Sequence, residues 1–183
     1  MMKKYFSCCC LVTISIILLP SGAAHSQIIS VPTIQFKQSE RTLSRFKTYI
    51  SPNKFSVQYP KGWFITPSDD TIMIHNFVFR RPAGGELKAG EIKTDINIFN
   101  QSFESTKQSY TKGRIKKQIQ LKIGNRKALR IWAIEEFNES ITIHTIVQYR
   151  NNQTFLISSF SEGLTPSMVN TIQTVHGSFR ILE

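Results

Sequence analysis

Cysteine is confined to three consecutive positions near the start of the chain, Cys8, Cys9 and Cys10. The rest of the sequence carries no thiol. That excludes disulfide staples, cysteine-ligated metals and a cysteine nucleophile there, whatever the redox state of the compartment. Negative charge is scarce too: 12 Asp and Glu stand against 23 Lys and Arg, a formal net charge of +11. Such a balance favours acidic proteins, anionic head groups or nucleic acid as partners. Long apolar runs are missing. The one uncharged apolar stretch, Cys8 to Pro20, is shorter than the roughly 20 residues a membrane helix needs. No internal repeat or low-complexity tract divides the chain.

What surrounds that apolar stretch gives it a meaning. Met1-Met2-Lys3-Lys4 precedes it and Ser21-Gly22-Ala23-Ala24-His25-Ser26 follows. A basic start, a short apolar core and a small-residue exit predict a secretory signal peptide over residues 1–26, with Ala24 and Ser26 flanking the cut before Gln27. The cysteines open the apolar run instead of following it, so no lipid anchor is expected. Export makes nucleic acid the poorest of the three anionic partners. Residues 27–47 read as a polar lead-in segment. Residues 48–183 have the length of one domain.

Within that domain the period-2 signature of half-buried strands recurs. In Phe55-Ser56-Val57-Gln58-Tyr59 apolar residues alternate with polar ones, and Tyr59-Pro60-Lys61-Gly62 fits a type I turn. The pattern then resumes on Trp63 and Ile65, which predicts a hairpin with Trp63 as a core plug at its mouth. Further strands are expected over Thr71–Phe79, Glu91–Phe99, 114–123, 127–136, 140–150 and 153–161. A short amphipathic helix over Asn100–Thr111 presents Phe103, Thr106 and Tyr110 on one face. A second starts with Thr165 as N-cap and Pro166 at its first position, buries Met168, Ile172 and Val175, and closes at Gly177. About eight consecutive strands and two helices predict an α+β fold, an antiparallel β-sheet flanked by helices in an α-β-α sandwich.

Two hairpins can be read for register. A two-residue turn at Asn151-Asn152 places Ile143 opposite Phe160, Ile146 opposite Ile157 and Val147 opposite Leu156. At Gly124-Asn125 a two-residue loop would set Lys122 against Lys127. A three-residue loop pairs Leu121 with Leu129 and Ile119 with Ile131, gathers the apolar residues on one face, and is the expected register.

Several of these stretches together resemble the PsbP family, the extrinsic proteins of photosystem II and their PsbP-like relatives. The likeness is carried by FSVQYPKGW, EIKTDINIF, IGNRKALRIW, QTFLISSFSEG and the closing SFRI, and covers most of residues 48–182. Tyr59, Pro60, Gly62 and Trp63 form its structural signature. The resemblance implies an α-β-α domain and a non-enzymatic protein of the thylakoid lumen or a periplasm. Such a protein binds, or helps to assemble, a membrane complex such as photosystem II. No stretch matches that family's proposed metal-binding residues, so none is carried over. Fold analogy alone does not fix a role.

Local motifs for catalysis are missing. His75, His144 and His176 have no ligand spacing and are expected as surface or hydrogen-bonded residues; no HExxH or Gly-x-Ser-x-Gly occurs. Glu135 and Glu136 point to opposite faces of a strand and cannot serve one substrate atom. Asp69-Asp70 has the oxygen chemistry of a Ca²⁺ site. In Pro67-Ser68-Asp69-Asp70 it reads as a solvated turn, so no metal or other cofactor is expected. Three Asn-x-Ser/Thr triplets, from Asn100, Asn138 and Asn152, read as turn residues.

The strongest feature outside the core is basic. Arg114, Lys116, Lys122, Arg126, Lys127 and Arg130, with Lys112 and Lys117, fall in one hairpin and its approach. In the expected register Arg114, Lys116, Gln118, Gln120 and Lys122 share a face with Arg130 and Trp132. Lysines guarding a strand edge on an ordinary solubilising surface explain such a pattern; the functional reading is a docking patch for an acidic surface. The sequence therefore predicts an exported, non-catalytic, PsbP-like protein that binds a membrane-associated complex. The contrasting expectation is a secreted hydrolase or small-ligand binder with a cleft between sheet and helix.

Overall fold

A computed structural model describes residues 45–52, 54–68, 71–78, 86–135 and 140–182. The signal-peptide reading, most of the lead-in segment, Asp69-Asp70, Glu136 and Asn138 lie outside the described residues. The described chain forms strands β1 (Phe46–Ser51), β2 (Phe55–Pro60), β3 (Phe64–Pro67), β4 (Thr71–His75) and β5 (Ile92–Phe99), then helix α1 (Phe103–Tyr110). Strands β6 (Arg114–Ile123), β7 (Arg126–Ile134), β8 (Ile141–Arg150) and β9 (Gln153–Ser161) follow, then helix α2 (Pro166–Ser178) and β10 (Arg180–Ile181). The fold is α+β, with every strand pairing antiparallel.

The strands make two sheets, not one. A three-stranded sheet has the order β1-β2-β10, and a seven-stranded sheet the order β3-β4-β5-β9-β8-β7-β6. Strand β1 begins at Phe46, inside the expected lead-in. The Pro60-Lys61-Gly62 corner is therefore no hairpin: β2 pairs with β1 and β10, and β3 pairs with β4. The turn is also shifted by one residue. Trp63 N–H donates to Pro60 O at 3.2 Å, and Gly62 has φ +88°. A positive φ at the third residue is what a type II turn demands and only glycine supplies freely. The corner thus carries the chain from one sheet to the other. Trp63 just beyond it is half-buried, packing on the main core and on the cluster beneath α2.

Both faces of the large sheet are covered. On one, Phe103 of α1 packs on Leu129, Ile131, Ile146 and Leu156. Ser102 caps that helix by accepting from Ser105 N–H at 3.2 Å. On the other, α2 and the small sheet close over Ile74, Ile96, Val147, Phe155 and Ile157. Phe55 of β2, Phe155 of β9 and Phe179 after α2 meet with ring centroids 5.0–5.6 Å apart, joining small sheet, large sheet and helix end. The C-terminal helix is capped by Thr165 and starts at Pro166 as expected, but runs through Gly177 to Ser178.

Both expected registers are corrected. The β8–β9 turn is at Asn151-Asn152, with Arg150 opposite Gln153. A bulge at Tyr149 then shifts the pairing by one, giving Ile143↔Ser159, Ile146↔Leu156 and Val147↔Phe155. The β6–β7 loop has two residues, Gly124 and Asn125, and Lys122 does pair with Lys127. Gly124 takes φ +57°, the positive value a two-residue hairpin turn requires. The like-charge pair is relieved from outside the hairpin. Lys127 Nζ lies 2.6 Å from Glu104 Oε1 of α1 and 4.8 Å from the Phe103 ring centre.

Candidate functional site

Strand β6 is the outer strand of the large sheet, where an unpaired edge invites another chain unless charge or a bulge guards it. It has both. Lys116 is the extra residue of a bulge between Ile115 and Lys117, so the alternation of side chains slips there. Beyond the slip Gln118, Gln120 and Lys122 pair with Ile131, Leu129 and Lys127, on the face that α1 covers. Lys117 pairs instead with Trp132, which belongs to the cluster under α2. The expected single face holding Arg114, Lys116 and Lys122 with Trp132 opposite Gln118 is thus replaced by a basic edge that wraps both faces.

The members of that basic group have different surroundings. Arg114, Lys116, Lys117, Lys122 and Lys127 are exposed. Among the described residues no carboxylate pairs with Lys116, Lys117 or Lys122. Lys127 is engaged by Glu104, whose carboxyl is held below its usual range chiefly by that lysine. Arg126 is half-buried and donates to Tyr149 O at 3.2 Å. Arg130 is only 9% exposed and is withdrawn from the patch: its side chain lies inside, where burial lowers its pKa.

Between β6–β7 and the first half of α2 lies a recess of about 510 Å³. Trp132 and Ile141 form its floor, Leu164 and Val169 its apolar wall, and Lys116 and Lys117 its rim. Lys117 Nζ stands 5.1 Å from the Trp132 ring centre, a cation–π distance. The bulge brings consecutive lysines, which a regular strand would send to opposite faces, to one opening. Lys117 was absent from the core of the expected patch because sequence periodicity cannot locate a bulge.

A buried polar chain runs through the interior. Arg130 Nε donates to Thr145 Oγ1 at 3.0 Å; Thr145 Oγ1 is 2.8 Å from His176 Nδ1. His176 Nε2 is 2.8 Å from Ser159 Oγ, which is 2.6 Å from Thr94 Oγ1. An arginine can only donate, so Thr145 Oγ1 accepts from Arg130 and its own hydroxyl proton is free to point at His176 Nδ1. In that arrangement the neutral imidazole carries its proton on Nε2 and donates it to Ser159. Burial first, then the charges of Arg130 and His144, hold the His176 pKa well below its ordinary value. Ser159 and His176 are 1% and 0% exposed, so the pair is closed to any substrate.

His144 and His75 are also internal. His144 Nδ1 bonds Ser158 Oγ at 2.8 Å, and the Tyr110 ring lies edge-on at 4.8 Å. Burial pushes the His144 pKa down to about 4, against a smaller upward pull from Glu135. His75 Nδ1 donates to Phe77 O at 2.6 Å, which leaves Nε2 to accept from Thr66 Oγ1 at 3.0 Å. Glu135 accepts from Thr142 Oγ1 at 2.7 Å and, with Glu86 and Glu162, lines a neighbouring recess of about 660 Å³ that shares Ile141 and Leu164 with the first. Among the described residues no three His, Cys, Asp or Glu side chains converge on one metal position. No described helix is long and apolar enough to cross a membrane.

No family model and no curated protein matches this chain. Solved structures overlap it in part. A protein of Bacteroides thetaiotaomicron aligns over 76% of this chain at 13% identity and TM-score 0.47, and this chain spans about half of it, 49%. Cyanobacterial PsbP of Synechocystis aligns over 75% of this chain and 92% of its own, at 9% identity and TM-score 0.49. A protein of unknown function from Pseudomonas aeruginosa aligns over 69% of this chain and 87% of its own, at 12% identity and TM-score 0.37. No function is transferred from overlaps of this depth.

Proposed function

We propose that this chain is an exported, non-catalytic binding protein that docks on an acidic surface of a membrane-associated complex through the β6–β7 edge. The observation that carries the reading is the outer strand β6 itself, on which Arg114, Lys116, Lys117 and Lys122 are all exposed. Such a charged edge steers an anionic partner strongly at low salt and loses its hold as salt screens it. Export is supported by the basic, apolar and small-residue pattern of residues 1–26. A periplasm or thylakoid lumen is the compartment, and photosystem II the kind of complex, that the PsbP resemblance of the sequence motifs implies. The non-catalytic reading is supported by the burial of Ser159, His176 and His144, each tied into the interior by hydrogen bonds.

The test is fractionation of native cells. The wild-type protein is expected with the membranes at low salt and in the wash at high salt, together with its partner. Arg114→Glu combined with Lys122→Glu moves it to the free soluble fraction, with its circular dichroism unchanged. Recovery of the wild-type protein only from the soluble fraction, with nothing attached, overturns the reading.

A further inference from the structure

We propose that the recess between β6–β7 and α2 is the anchor point of the docking edge. It takes one apolar side chain of an extended acidic segment in a partner protein, with that segment's carboxylates on Lys116 and Lys117. The inference rests on the docking reading above and adds a specificity to it.

Three observations converge. The bulge at Lys116 places two consecutive lysines on the rim of one opening, and bulges re-aim side chains in this way beside functional sites. The floor and wall are apolar, formed by Trp132, Ile141, Leu164 and Val169, and among the described residues no carboxylate lines the recess. A tryptophan floor under a cationic rim accepts an apolar side chain and its flanking acids at once. Third, the recess opens beside β6, the outer strand of the sheet, so a chain running along that edge passes over it. At about 510 Å³ the recess is large enough for an anchoring side chain and small against a bilayer, whose flat surface cannot enter it. Asn170 and Gln173 of α2 complete the lining with polar groups able to bond a peptide backbone.

The probe is a labelled acetyl-Asp-Asp-Phe-Asp-Asp-amide, titrated with the full protein at low ionic strength and followed by fluorescence anisotropy. Saturable binding is expected. It weakens about tenfold or more when the peptide's phenylalanine becomes serine. The same loss is expected in Lys116→Glu with Lys117→Glu, and in Asn170→Trp, which fills the opening from an exposed helix position. Circular dichroism on each variant confirms its fold. Equal affinity for the phenylalanine and serine peptides, or no effect of Asn170→Trp, overturns the inference. So does binding of phosphatidylglycerol vesicles through the recess with no binding of peptide. The two readings fail separately. Membrane release by Arg114→Glu with Lys122→Glu alongside indifference to the peptide's phenylalanine leaves the dock standing without this anchor. A protein never found on membranes that still selects phenylalanine leaves the recess standing without the dock.

Discussion

Arg130 donates from Nε to Thr145 Oγ1 at 3.0 Å under α2, while its buried Nη2 meets no acceptor among the described groups. A cation held inside without a carboxylate is costly, and replacing such a group by an apolar one of similar length is often neutral or stabilising. Arg130→Met is therefore expected to leave the urea midpoint unchanged or raised. It also leaves membrane association intact, because the guanidinium is not on the docking surface. A large drop in midpoint would show that the Thr145 bond outweighs the desolvation.

The same bond favours one tautomer. With Arg130 donating to Thr145, the threonine proton is free for His176 Nδ1, which leaves the imidazole proton on Nε2 toward Ser159. Nitrogen-15 spectra of the folded protein should show His176 as the neutral Nε2–H form throughout pH 5–7. An Nδ1–H signal would instead make Thr145 Oγ1 accept from both Arg130 and His176, with Ser159 donating to His176 Nε2.

His144 gives stability a pH dependence of known sign. Burial takes its folded pKa to about 4, whereas the unfolded imidazole titrates near 6.5. Above roughly pH 6.5 both states are neutral. As the pH falls from there toward 4, the unfolded chain gains a proton that the folded chain refuses, so stability declines. The loss amounts to at most about 3 kcal/mol for this group. His176 acts in the same direction. Urea midpoints at pH 7 and pH 4.5 should differ less in His144→Gln than in the wild type; equal differences would remove His144 from the account.

Two aromatic substitutions should separate by burial. Phe179 is fully buried against Phe55 and Phe155, and Phe179→Ala is expected to cost about 3–5 kcal/mol. Trp63 is half-buried, so Trp63→Ala should cost less, about 2 kcal/mol. Denaturant unfolding of the two variants decides the order. A Trp63 loss matching that of Phe179 would make the sheet-to-sheet corner a full core position.

Gly124 tests the β6–β7 turn. An added Cβ would meet no atom within 4 Å, so only the backbone at φ +57° resists substitution. Gly124→Ala should cost about 1 kcal/mol and Gly124→Asn clearly less. Equal midpoints for all three chains would mean that the loop does not hold this conformation.

The elements were legible wherever one local pattern decided them. The alternation in Ile92–Phe99, the Thr165–Pro166 helix start and the Phe103/Thr106 face all stand as read. Register was not legible. A bulge at Lys116 or Tyr149 leaves no mark in the sequence, and each moves a run of pairings by one residue. The Lys122–Lys127 pair looked unfavourable because its relief comes from Glu104, more than twenty positions away on another element. Arg130 looked exposed because its charge spoke louder than its place on a buried strand.

The sequence by itself determined the antiparallel α+β class, the start of the C-terminal helix, the thiol-free domain and its surplus of positive charge. These follow from composition and from periods of two and 3.6 residues, which act between near neighbours along the chain. Only the tertiary structure decided that the strands split into two sheets at Gly62, which lysines share an opening, and that His75, His144 and His176 belong to the interior. Those outcomes depend on which distant side chains meet and on which face each strand turns inward, and a single bulge is enough to change both.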